Sequence, residues 1–323
     1  MKRRSFLKLM GSGCIILAAG SGTGGYFLSE PGVEYPDKPW RTAGSLYSEP
    51  RMKALSYAVL APNPHNRQPW LVELDNPMGI TLYCQLDRRL PHTDPYDRQI
   101  LIGLGCFAEL LRIAAAEDNF DARIDWFPQG LPQGERLDRS PIARIQFVKG
   151  AKPDPLFRQI LKRRSTKEPY DTGRKVSGTV LAELKGNDPD SHTSNDARLV
   201  SELRKLTMDA FMVEIETART YKESIDLMRI GNKAVAQNPD GIDMGGSFFT
   251  IMKNIGLITH EKIGNPDSQA YKQGIPPFRD IMYSSMAYSW ITTPQDTRLD
   301  HVNAGIKYLR MNLKAASLGL SMH

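Results

Sequence analysis

The stretch "DPYDRQILIGLGCFAELLRIAAAEDNF", residues 94–120, decides the fold. Within it Gly103-Leu104-Gly105-Cys106-Phe107-Ala108 matches G-x-G-x-x-A, and Asp125 follows about 20 residues on, the distance of a dinucleotide-binding fingerprint. That reading needs a strand running into the glycines, and none is visible. Asp94 and Pro95 instead form a helix start, with proline at the first helical position. Ile100, Leu104, Phe107 and Leu111 then recur at helical spacing straight through both glycines. The stretch therefore predicts one apolar helix. Two interior glycines cost roughly 1 kcal/mol each against alanine, so another backbone, or a flat ligand, is expected to pack closely there.

Working outward, Ser48 can cap a helix to Leu60, with Glu49 in its first turn, and "APNP" stops it. "WLVEL" and "ITLYCQL" read as strands around the turn "DNPMG"; "ARIDWF" and "ARIQFV" are two more. Asp154 and Pro155 start a helix that leads into "KRRSTKEPYD". Residues 179–290 are mostly helix-prone. "GSFFTIMKNIGLIT" is apolar enough to be largely buried, and the stretch 205–285 could lie over a pocket as a lid. "MAYSWITT" reads as a strand, and Thr297 to Gly319 as a final helix. The fold class is α+β.

That final helix echoes the first. Gly105, Leu111, Ile113, Ala115, Ala116 and Phe120 match Gly305, Met311, Leu313, Ala315, Ala316 and Leu320, each pair 200 positions apart. The repeat predicts two related, pseudo-symmetric lobes in one chain, residues 48–150 and 151–323. In the first lobe two strands follow the helix. In the second the sequence stops at His323, so that lobe is expected to be incomplete.

Composition excludes little. The chain has 323 residues, 41% hydrophobic and 24% charged, an ordinary globular balance. A net charge of +6 with acidic residues spread throughout names no nucleic-acid partner. Cys14, Cys84 and Cys106 are too scattered for a disulfide framework or a zinc site, and the six histidines show no metal-ligand spacing. Lys2, Arg3 and Arg4 precede an uncharged run from Leu9 to Ser29. The pair Arg3-Arg4 before Ser-Phe-Leu-Lys looks like a twin-arginine export signal over residues 1–29. It implies a periplasmic or exported protein that meets the twin-arginine translocation machinery. Residues 9–29 are also long enough to remain as a membrane tether. Residues 30–47 read as a linker.

"APNPHNRQPW", residues 61–70, resembles the flavin-adjacent segment of the FMN-binding nitroreductase family. "RRSTKEPYD" resembles that family's arginine-rich flavin-phosphate segment, and "GLGCFAELLRIAAA" its central helix. Their order, with the twin-arginine start, resembles the single-chain, two-lobed Acg-like branch. The resemblance implies a nitroreductase-like fold, with mixed or antiparallel sheets flanked by helices and FMN at the lobe interface. It also implies two-electron reduction of a quinone- or nitroaromatic-like acceptor, with NAD(P)H as one candidate donor. Alternatives are a flavin-sequestering protein without rapid turnover and a non-catalytic remnant of that scaffold. Leu110 stands where relatives often carry a polar residue, which removes one flavin contact.

The residue chemistry agrees with that resemblance. Arg163 and Arg164 offer forked donors suited to phosphate, and Ser165 and Thr166 add hydroxyls. The plain alternative is a solvated helix end. Asn63, Asn66, Arg67 and Gln68 place donors on a proline-framed turn, as a flavin edge requires, and His65 either donates there or packs at the loop. The plain alternative there is a self-satisfied turn with Trp70 filling core. No catalytic acid, nucleophile or metal ligand is expected, because hydride passes to and from a flavin by stacking.

Overall fold

A computed structural model describes residues 30, 32–75, 77–132 and 134–323. Residues 1–29, read above as an export signal, lie outside the described residues. The chain forms two compact units, residues 30–36 with Tyr221–Asp280, and Asp37–Thr220 with Ile281–His323.

The larger unit begins with α1 (Lys38–Thr42), inside the span read as a linker, and α2 (Pro50–Ala58). Glu49, not Ser48, caps α2: its carboxylate accepts from Met52 N. Pro50 at the first helical position sets the boundary one residue later than expected. Strands β1 (Trp70–Glu73) and β2 (Gly79–Cys84) follow, then α3 (Arg98–Glu117), β3 (Phe120–Trp126) and β4 (Ala143–Lys149). The four strands pair antiparallel in the order β1-β2-β4-β3. Register puts Val72 beside Leu82, Ile80 and Ile124 beside Ile145, and Ala122 beside Phe147. These period-two apolar rows belong to the main core with α3.

α3 is the predicted helix, and it is nearly all buried. Among the described residues it alone is long and apolar enough to cross a membrane, yet most of it lies inside the protein. It starts at Arg98, not at Pro95. Asp97 takes a left-handed φ of 56°, which breaks the first turn away from the helix. Asp94 still caps it, reaching across that turn to accept from Arg98 N and Ile100 N at 2.9 Å each.

Next come α4 (Gly178–Lys185), β5 (Ser191–Ser194) and α5 (Ala197–Glu216). The Asp154–Pro155 start makes only a 3₁₀ turn, Pro155–Gln159, because the chain then leaves to bury Arg163. α6 (Ala218–Asp226), β6 (Met228–Ile230), α7 (Asn232–Gln237), β7 (Ile242–Met244), α8 (Ser247–Asn254), α9 (His260–Gly264) and α10 (Gln269–Tyr283) follow. Most of this stretch forms the smaller unit. Parallel β6 and β7 and a core of Ile225, Ile230, Ile258 and Ile263 organise it. Here the expectation of a largely buried "GSFFTIMKNIGLIT" fails. Within α8 only Thr250 is buried, and Phe248, Phe249 and Met252 are half-buried, since so small a unit cannot enclose them.

β8 (Tyr288–Ile291) returns to the larger unit and pairs antiparallel with β5. α11 (Arg298–Ser317) ends the order, opened by a capping box between Thr297 and Asp300. It crosses α3 at the two repeated glycines. A Cβ on Gly105 would lie 2.3 Å from Val302 O, and one on Gly305 would lie 2.1 Å from Ile102 O. The contacts are reciprocal: each residue and its target exchange roles under the same 200-position offset. The backbone packing expected to offset the helical glycines is thus supplied, for Gly105, by the other half of the repeat.

Cys84 and Cys106 are buried free thiols, each pushed up by burial from 9.0 to about 12. Burial likewise raises Tyr170 and Tyr221 from 10.0 to about 12. Each group keeps its proton in the folded chain after the unfolded chain has lost it. The stabilisation is complete below the unfolded values and lost as pH rises toward about 12. Stability should therefore decline from about pH 9 upward. Native Cys84 and Cys106 should label with iodoacetamide at pH 8.5 on the order of a thousandfold more slowly than in urea, by peptide mass mapping. Equal rates in both states would refute their enclosure.

Candidate functional site

The loop 61–70 joins α2 to β1 and lies against α3. Gly103 admits it: a Cβ there would sit 3.1 Å from Asn63 Cβ and 3.4 Å from Pro64 Cδ. His65, Asn66 and Gln68 all take left-handed φ values, 46°, 50° and 50°. Three such non-glycine residues in four positions hold conformational strain, the kind that clusters at ligand sites.

The loop side chains divide by role. Asn63 Oδ1 accepts from Gln68 N at 2.7 Å and its amide donates to Ala61 O, closing the loop on itself. Arg67 is buried and turns inward; its guanidinium donates to Asp87 O and Arg88 O, while Arg88 returns a bond to Arg67 O. These two hold the loop's shape. Asn66, exposed, accepts from the Gln68 amide, and His65 Nε2 lies 4.0 Å from Glu214 on α5. Trp70 stacks on Phe107 with centroids 4.9 Å apart, so the loop ends in core.

The second segment reaches the base of this loop. Arg163 Nη2 donates to Leu60 O at 2.9 Å, three residues before Asn63. Its Nη1 is enclosed and has no hydrogen-bond partner. Burial lowers the guanidinium's pKa; Tyr308 and Cys106 oppose that and Arg164 adds to it, with no carboxylate among the groups that act on it. Arg164 points elsewhere. It is exposed, bonds to Leu161 O and Arg163 O, and stacks 3.6 Å from the Trp40 ring centre. The two arginines are thus not a matched pair: one is buried, the other at the surface. Thr166 N donates to Met322 O, and Ser165 bridges to Met322 in parallel register.

The residues that sequence reasoning missed are Trp40, Tyr308 and Asn312. Tyr308 and buried Asn312 lie on α11, with Asn312 Nδ2 donating to the Tyr308 hydroxyl at 3.2 Å. Trp40 was hidden in the span read as linker, although Asp37 and Pro39 around it are helix-start chemistry. Among the described residues no three His, Cys, Asp or Glu side chains converge as a metal site. An open depression of about 370 Å³ on the sheet, lined by Asp75, Arg123, Asp125, Arg144 and Gln146, contains none of the candidate residues.

No family model matches the chain. An uncharacterized protein of Mycobacterium tuberculosis is 31% identical over 122 residues, 37% of this chain and 35% of that protein. A second protein of the same organism, provisionally named an NAD(P)H nitroreductase, is 32% identical over 74 residues, 23% of this chain and 21% of that protein. The chain thus matches about a third of the first relative's length and about a fifth of the second's.

Proposed function

We propose that the chain is an oxidoreductase of the nitroreductase type that binds FMN and reduces a quinone- or nitroaromatic-like acceptor with electrons from NAD(P)H or another donor. The observation that carries this is Arg163: a buried guanidinium with an enclosed, unpartnered Nη1 and no counter-charge, at the foot of a strained, donor-rich loop. A buried charge is costly unless it is paired, and a flavin phosphate would supply the missing anion. The partial likeness to a provisionally named NAD(P)H nitroreductase supports the same class. The reciprocal crossing at Gly105 and Gly305 supports a nitroreductase-like fold of two pseudo-symmetric halves.

In this reading Arg163, with Ser165 and Thr166, binds the phosphate. His65, Asn66 and Gln68 orient the ring edge, on a loop whose shape Asn63 and Arg67 maintain. The flavin supplies the two-electron chemistry. Export by the twin-arginine route, with or without a retained tether, belongs to the same proposal. A flavin-holding protein without turnover is the second reading.

The test is the visible spectrum of the purified full chain after incubation with FMN and desalting. A retained flavin band is expected, with Arg163→Ala binding at least about tenfold more weakly, the loss of one charge-assisted hydrogen bond. A folded but colourless protein would refute the flavin reading. A coloured one without NADPH–quinone turnover would select the second reading.

A further inference from the structure

We propose that residues 37–44 form a strap whose Trp40 must swing away before a phosphate-bearing ligand can reach Arg163. The inference rests on the flavin-phosphate reading of Arg163 but concerns access to it.

The Arg163 guanidinium lies 5.5 Å from the Trp40 ring centre, and Arg164 stacks on the same ring at 3.6 Å. Trp40 therefore lies against both cations, with Arg163 enclosed and Arg164 still exposed. Arg163 is 5% exposed and its Nη1 has neither solvent nor a partner, so an anion needs room that the closed arrangement lacks. Its other neighbours are fixed parts of the core: Leu60 O beyond α2, and Cys106 and Tyr308 on the crossing helices. The strap is the least buried of these walls, although Trp40 and Ala43 rest on the main core. α1 has five residues, none buried, and its N-cap Asp37 makes no side-chain capping bond. Within it Asp37 pairs with Arg41, and the Thr42 hydroxyl bonds to Lys38 O.

A latch at its far end holds the strap down. Gly44 N donates to Ser56 Oγ at 2.8 Å. Gly44 has φ +75°, and a Cβ on it would lie 2.2 Å from Tyr57 Oη. Tyr57 in turn packs edge-on to Phe157, in the turn that leads to Arg163. Alanine at position 44 would disturb this latch without touching Trp40 or either arginine.

Three probes on the full chain test the strap: FMN, riboflavin, which lacks the phosphate, and inorganic pyrophosphate. Stopped-flow quenching of flavin fluorescence gives association rates. The emission of wild type minus Trp40→Phe isolates Trp40 from Trp70, Trp126 and Trp290. In wild type the FMN association rate should level off at high FMN, set by strap opening. In Trp40→Ala it should keep rising with FMN and exceed that plateau by about tenfold or more, the mark of a removed closed state. Trp40→Phe, which keeps a ring over the arginines, should retain the plateau. Pyrophosphate should shift Trp40 emission toward that of an exposed indole. If Trp40→Ala does not fold, Gly44→Ala carries the kinetic comparison.

The same plateau in wild type and Trp40→Ala overturns the strap, as does Trp40 emission unmoved by pyrophosphate and FMN alike. FMN that fails to bind while pyrophosphate moves Trp40 sinks the flavin reading and leaves the strap standing. FMN and riboflavin that bind equally, with Trp40 unmoved by pyrophosphate, overturn the strap and the phosphate role of Arg163 together, leaving only flavin binding.

Discussion

Replacing Gly305 with alanine is expected to cost at least about 3 kcal/mol, the upper part of the overpacking range. The new Cβ would stand 2.1 Å from Ile102 O, and at Gly105 the corresponding gap to Val302 O is 2.3 Å. Both obstacles are helix backbone atoms, one on α3 and one on α11, so no rotamer change relieves them. Alanine would otherwise favour the helix by about 1 kcal/mol, which makes any loss a lower bound on the steric cost. Against a typical total stability of about 5–15 kcal/mol, either single change removes a large share. The double replacement should cost clearly less than the sum, because the first methyl already forces the helices apart and makes room for the second. Urea unfolding midpoints of the three variants decide this. A loss below about 1 kcal/mol for either single variant would mean that the helices do not cross this closely.

Glu109→Ala should be the second large effect, about 2–3 kcal/mol. Glu109 is 1% exposed, and both its oxygens are engaged: Arg112 binds them at 2.6 and 2.8 Å, and Arg310 binds one at 2.7 Å. Arg310 also reaches Asp154, whose other oxygen caps the turn that precedes Arg163. Breaking a fully buried pair costs about 3–5 kcal/mol. Both arginine side chains are around two-fifths exposed and can swing to water, which reduces the expected figure. Glu109→Gln keeps the shape and one acceptor, and should lose about half as much. The same urea titration, repeated at high salt, separates this network from surface pairs, since the enclosed Glu109 carboxylate is screened less than an exposed one. A neutral Glu109→Ala would show that the arginines do not depend on it.

The parts of the fold legible in the sequence were those with a strong period. Ile100, Leu104, Phe107 and Leu111 marked α3, and short strand-type runs, the first two around the turn "DNPMG", marked the four strands of the main sheet. Gly103 and Gly105 foretold a close approach, because two glycines inside a helix need repayment; Gly105 meets α11, and Gly103 meets the loop at Asn63. β5 was invisible: Ser-His-Thr-Ser has no apolar alternation, and only pairing with β8 makes it a strand. The three-residue strands β6 and β7 were lost within a helix-prone run for the same reason. In the candidate site, residue types were legible but directions were not. "RR" at 163–164 reads as one patch, yet one side chain is buried and the other lies on the surface against Trp40. Arg67 reads as a donor to a ligand, but the carbonyls of Asp87 and Arg88, some twenty positions away, take its guanidinium. Sequence spacing cannot reveal partners that distant.

The crossing of α3 and α11 also bears on how the chain comes to be folded during synthesis. α3 leaves the ribosome about 200 positions before the helix that meets its glycine face. For the whole of that interval, on the order of 10–40 seconds at about 5–20 residues per second, a twenty-residue apolar segment lacks its main partner. Its sheet is complete much earlier, so a half-covered core must wait for the last helix. The final collapse is a contact of very long range, a kind that slows folding and leaves apolar surface open to capture by other chains. Aggregation during expression should therefore respond most to chaperones that hold nascent chains.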